Sequence, residues 1–231
     1  KERIRMFFEE VKRTHKGSGL TSFSLNHQSN RHHSLLHNHK HNYNNISKFG
    51  YKNDIVIAIA SSTGGTEALD KIVRELPADM PPILVVQHMA SSFTKHFAKR
   101  LNNFSNLNIK EAEDGEIVYP ETLYIAPGDF HMRLVKSSDK LVIRCVTDKK
   151  VNGVRPAADV LFESVAQIMG NKAIGVILTG MGSDGAKGLS IMKKAGSINI
   201  GQDEETSLVY GMPRVAYELG CIDEQLPLSK I

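Results

Sequence analysis

Three short stretches of this 231-residue chain carry residue types able to perform acyl transfer. Ser61-Ser62-Thr63-Gly64-Gly65 offers two adjacent hydroxyls before a glycine pair, His88-Met89 follows the apolar run ILVVQ, and Gly180-Met181-Gly182-Ser183-Asp184-Gly185 sets an acid in a glycine-rich turn. A serine hydroxyl becomes a good nucleophile when an imidazole takes its proton. The imidazole in turn needs an acceptor that holds its tautomer and stabilises the imidazolium. Serine, histidine and aspartate together have the composition of a hydrolytic triad.

Other readings of the same residues stand beside that one. Ser-Thr before Gly-Gly suits a tight strand-to-helix turn with a helix N-cap, and the N–H groups of such a turn can cradle a phosphate. The stretch matches neither G-x-x-x-x-G-K-[ST] nor G-x-G-x-x-G, which weakens the nucleotide reading. His88 can be a polar strand-end residue, Asp184 can cap the helix that follows it, and His96 beside Lys95 reads as a solvated helix residue. In APGDFHM, Asp129 and His131 also follow a strand and compete as acid and base. Chain order Ser, His, Asp and the lack of G-x-S-x-G argue against the α/β-hydrolase superfamily.

The elements that must position these residues are legible from the hydrophobic pattern. Apolar runs at 55–60, 83–87, 123–127, 141–146, 173–179 and 197–201 read as strands, and amphipathic segments near 66–76, 92–103, 157–169, 185–195 and 213–219 read as helices. Near-continuous apolar strands alternating with helices predict an α/β fold: a doubly wound, mainly parallel sheet flanked by helices in three α/β/α layers. Helices drop out around 112–146, which predicts a small antiparallel hairpin or edge. Ligands of such sheets bind beyond the carboxyl ends of the strands. Ser61-Ser62, His88 and Asp184 all fall at that end.

Apolar residues make up 41% and charged residues 23% of the chain, ordinary values for a globular protein. No window approaches the roughly 18 apolar residues of a membrane span, so no membrane insertion is expected. Two distant cysteines, Cys145 and Cys221, fit packing roles in a reducing, cytoplasmic setting. The formal charge of +4 comes from an acid-free stretch between Val11 and Asn53 holding Lys12, Arg13, Lys16, Arg31, Lys40, Lys48 and Lys52, which argues against nucleic-acid binding by the folded part. Seven of the ten histidines lie between His15 and His41. With no cysteine or carboxylate to complete a shell, that tract reads as a solvated linker and no metal site is assigned. Residues 1–13 place Ile4, Met6, Phe7, Phe8 and Val11 at helical spacing, so the expected organisation is an amphipathic helix at 1–13, a flexible basic linker at 14–53 and a catalytic domain at 54–231.

From Asp54 onward the chain resembles the chemotaxis protein-glutamate methylesterases (CheB). The resemblance rests on ASSTGGTEAL, VVQHM, FAKRLN, EAEDGE, YIAPGDFHM, RPAADVLFESVA, GVILTGMGSDGAKGL and YGMPRVA, in that order. It implies Ser62 as nucleophile, His88 as base and Asp184 as third member, with no cofactor. The implied reaction is demethylation of glutamate γ-methyl esters, and deamidation of glutamines, on the cytoplasmic helices of methyl-accepting chemoreceptor proteins. Thr63 and Met181 are the expected oxyanion supports, and Arg155 is either a substrate-orienting residue or a solvated loop residue. Family members carry an N-terminal receiver domain that covers the site until phosphorylated. A start at Lys1 rather than Met reads as a fragment, with the 1–13 helix the receiver's last. The family pattern has Gly-Ala before its serine where this chain has Ala60-Ser61, so Ser61 is the alternative nucleophile to be excluded.

Overall fold

At the centre of the sheet lies β1 (Val56–Ser61), six consecutive buried residues. Because side chains alternate along a strand, Val56, Ala58 and Ala60 enter one core while Ile57 and Ile59 enter the other. A strand with both faces covered must be apolar throughout, which is why the run was readable as an interior parallel strand. The computed structural model of the protein describes residues 55–231, and the expected 1–13 helix and 14–53 linker lie outside the described residues.

In chain order β1 is followed by α1 (Gly65–Val73), β2 (Ile83–Gln87), α2 (Ser91–Asn102), β3 (Asn108–Glu111), β4 (Thr122–Ile125), β5 (His131–Ser137) and β6 (Lys140–Val146). Then come α3 (Ala158–Met169), β7 (Ala173–Ile177), α4 (Ala186–Lys194), β8 (Ile198–Gln202), α5 (Met212–Glu218) and β9 (Glu224–Leu226). Seven strands form one sheet in the order β3-β4-β2-β1-β7-β8-β9, and every pair in it is parallel. Helices α1 and α2 cover one face through Leu69, Ile72, Phe97 and Leu101. Helices α3, α4 and α5 cover the other through Leu161, Phe162, Leu189 and Met212. The three-layer doubly wound fold is therefore as expected.

The helix-free stretch is a hairpin, β5 paired antiparallel with β6, forming its own two-stranded sheet. Met132, Leu134 and Ile143 bury it in the α3-side core, and Ser164 of α3 accepts the Leu134 N–H at 3.0 Å. Strands β3 and β9 were not anticipated. They are short edge strands, and only Ile109 is buried in β3 and nothing in β9, so neither has the apolar run that marks an interior strand.

Two features of the topology locate the site. From β1 the chain winds outward through β2, and from β7 it winds the other way through β8, so the connections diverge between β1 and β7. A crevice at the strand ends is the geometric result. The ladders also continue past the strands: His88 N–H donates to Ser61 O at 3.1 Å, and Ser62 N–H donates to Thr179 O at 3.0 Å. All three candidate loops thus rise from neighbouring strands.

Candidate active site

Ser61 and Ser62 are separated by burial. Ser61 closes β1 with no exposed surface, and its hydroxyl donates to Gln87 Oε1 at 2.6 Å. Ser62 leaves the strand at the rim, half-buried, with a hydroxyl that makes no hydrogen bond among the described residues. Gly64 then takes a left-handed conformation, φ 81°, and turns the chain into α1. Across the crevice the β7 loop packs tightly on this serine, for a Cβ on Gly180 would lie 2.8 Å from Ser62 Cβ.

Asp184 is buried and saturated. Its Oδ2 accepts from His88 Nε2 at 2.8 Å and from Ala158 N–H at 2.6 Å, while its Oδ1 accepts from Asn152 Nδ2 at 2.8 Å and Asp159 N–H at 3.2 Å. Burial alone would push this carboxyl up. The hydrogen bonds from His88, the Ala158 N–H and Asn152, with the histidine's charge, outweigh it and hold Asp184 below the ordinary carboxylate range. An ionised carboxylate only accepts, so His88 Nε2 carries the proton. In the neutral ring the nitrogen left with a lone pair is then Nδ1. Side-chain exposure is only 13% for His88 and 4% for Asp184, so the pair is largely withdrawn from solvent.

Asp184 does act as a cap, though of a helix other than the one that follows it. Its two backbone donors, Ala158 and Asp159, open α3, so a helix N-terminus stabilises the charge. Asp159 repeats the device one level down, accepting Asn152 Nδ2 at 2.8 Å and the Gly188 N–H of α4 at 2.8 Å.

Thr63 follows Ser62 in the chain and Met181 follows Gly180, which packs on Ser62; both are exposed, Met181 at 75%. Their backbone N–H groups make no hydrogen bond among the described residues. Arg155 is turned to the protein itself, its NH1 donating to Thr147 O at 2.8 Å and Asp148 O at 2.9 Å. His131 is fully buried, with Nε2 3.0 Å from Lys149 O and Nδ1 accepting the Ala157 N–H at 3.2 Å. Asp129 accepts the Ser91 hydroxyl at 3.0 Å. The competing acid and base are thus engaged elsewhere and not with each other, and His96 is exposed on α2. Both thiols are free and buried wholly or in part, Cys145 being pushed up to about 12 by burial. Gln87, Asn152 and Asp159 were not singled out from sequence. Gln87 stands inside VVQHM but reads as a strand terminus, and Asn152 lies in a polar turn with no distinguishing pattern.

The family model for CheB methylesterase matches residues 57–231. The chain belongs to the CheB methylesterase family. A protein-glutamate methylesterase/protein-glutamine glutaminase 2 of Syntrophomonas wolfei is 51% identical over 176 residues, covering 76% of this chain and 52% of that protein. The protein-glutamate methylesterase/protein-glutamine glutaminase of Pyrococcus horikoshii is 48% identical over 178 residues, covering 77% and 48%. The chain thus spans about half the length of these curated relatives. The crystal structure of the Thermotoga maritima CheB methylesterase catalytic domain superposes with a TM-score of 0.75 at 47% identity, covering 76% of this chain and 94% of that one.

Proposed function

We propose that the chain hydrolyses glutamate γ-methyl esters, and deamidates glutamines, on methyl-accepting chemoreceptor proteins in the cytoplasm, with Ser62, His88 and Asp184 as its catalytic residues. The observation that carries this reading is the largely buried His88–Asp184 hydrogen bond of 2.8 Å set one strand from a Ser62 hydroxyl that has no hydrogen bond among the described residues. Among the described residues no helix is long and apolar enough to cross a membrane.

The reaction follows from the donor inventory. His88 Nδ1 takes the Ser62 proton as Oγ attacks the ester carbonyl carbon, and the tetrahedral oxyanion forms beside the N–H groups of Thr63 and Met181, which make no hydrogen bond among the described residues. Each such donor lowers the barrier by about 3–4 kcal/mol in comparable sites. The imidazolium, stabilised by Asp184, returns its proton to the departing methoxide and methanol leaves. Water, deprotonated by His88, then attacks the acyl-serine and releases the glutamate carboxylate and the Ser62 hydroxyl. With glutamine the same steps expel ammonia. Arg155, braced on the 147–148 carbonyls, holds the loop leading to Asn152 and α3, and we assign it no more than a rim contact with substrate.

Methanol release from methylated receptor membranes tests the reading. Wild-type chain should release it, and Ser62→Ala should lower the rate by about 10³-fold or more while circular dichroism stays unchanged. Undiminished release by Ser62→Ala would remove Ser62 from the mechanism.

A further inference from the structure

We infer that Ser61 and Gln87 together are positioning residues that aim the nucleophile, the base and one oxyanion donor; the inference rests on Ser62 and His88 being the reacting pair. A fully buried hydroxyl at the end of β1 must have a partner, and that of Ser61 is Gln87 Oε1 at 2.6 Å. The register places the two side by side, with Ser61 opposite Gln87 in the β1–β2 ladder.

The amide can sit only one way round. Gln87 Nε2 lies 3.0 Å from Ser62 O and 3.1 Å from His88 O, and both of those carbonyls only accept. That end must be the NH₂, so Oε1 faces Ser61 and the serine hydroxyl must donate. Both amide protons are therefore spent on the carbonyls of the two residues that would react. Gly65 closes the arrangement from above, since a Cβ there would come within 2.2 Å of Gln87 Oε1 and 2.6 Å of Ser61 Cβ. The N-terminus of α1 thus leaves the amide no room to swing.

The geometric consequence reaches the oxyanion site. A peptide group is planar, with C=O and the next N–H pointing oppositely. Anchoring Ser62 O, which also accepts the Gly65 N–H at 2.8 Å, sets the direction of the Thr63 N–H. Anchoring His88 O holds the backbone that carries the imidazole. Without the Ser61 hydroxyl, Oε1 becomes a buried acceptor with no partner, and the amide loses the bond that keeps its NH₂ on the two carbonyls.

Steady-state methanol release from methylated receptor membranes by the full 231-residue chain tests this. Ser61→Ala should lower kcat about five- to tenfold with KM unchanged, and Gln87→Met should lower kcat about a hundredfold, the scale of a misaimed oxyanion donor. In the Gln87→Met background, Ser61→Ala should have no further effect, because the bond it removes no longer exists. Should Gln87→Met fail to fold, Gln87→Leu replaces it, removing the acceptor for Ser61 and the NH₂ donors alike. Wild-type kcat in Ser61→Ala, or the same loss from it in both backgrounds, would overturn the inference. Turnover by Ser62→Ala would instead overturn the reading beneath it, so the two failures are distinguishable.

Discussion

Asp184 receives four hydrogen bonds, whereas the hydroxyl of Ser62, on the neighbouring strand end, makes none among the described residues. The contrast is what the proposed mechanism asks of each group. A charge that stays put through the reaction is best served by fixed donors, which cost no reorganisation. A nucleophile must exchange its proton partner during the reaction, and a permanent hydrogen bond would hold its lone pairs back. The β1 turn therefore fixes the Ser62 backbone through Thr179, Gly65 and Gln87 and leaves the side chain open.

The largest break in this contrast is Asp184→Asn. All four of its partners donate, and an amide has only one acceptor oxygen, so at least one donor faces an NH₂ group. Losing the His88 tautomer should lower kcat by about 10³- to 10⁴-fold in the methanol assay. Weaker tethering gives a smaller effect. Asn152→Ala leaves Asp184 three donors and Asp159 one fewer, and kcat should fall about five- to tenfold with little change in KM.

The same substitution sharpens the comparison in acid. Asp184 titrates lower in the folded state than in the unfolded chain, so its contribution to stability is present above about pH 4 and is lost as pH falls through its folded value. Asn152→Ala should shrink that loss, seen as a flatter fall in urea stability between pH 5 and pH 3. The smallest effect concerns His131. Burial, against the bond to Lys149 O and with the charges of Arg133 and Arg155, holds this ring below the ordinary histidine range. The unfolded chain then binds more protons, so its contribution is present above about pH 6.5 and is lost as pH falls through the folded value. His131→Asn should remove that part of the pH dependence in the same unfolding measurement.

How much could be read in advance depended on the kind of interaction. Strands β1, β2 and β7 were legible because burial on both faces demands unbroken apolar runs. Strands β3 and β9 were not, because an edge strand half in solvent has no such demand. The placement of Ser62, His88 and Asp184 at neighbouring strand ends was legible from the apolar runs that precede them. Asn152 and Asp159 bond each other 7 residues apart but meet Asp184 and Gly188 25 to 32 residues away, and no local period marks a partner that arrives with another element.

The sequence by itself determined the layer order, the interior strands and the family, because periodicity and local motifs encode burial and turns directly. Only the tertiary structure gave Ser61 and Ser62 different surroundings. Both are serines at one strand end, and what separates them is the register that puts Gln87 against the first and the end of the ladder that frees the second. Register and loop convergence are properties of strands brought together, so they are decided by packing and not by any stretch of chain alone.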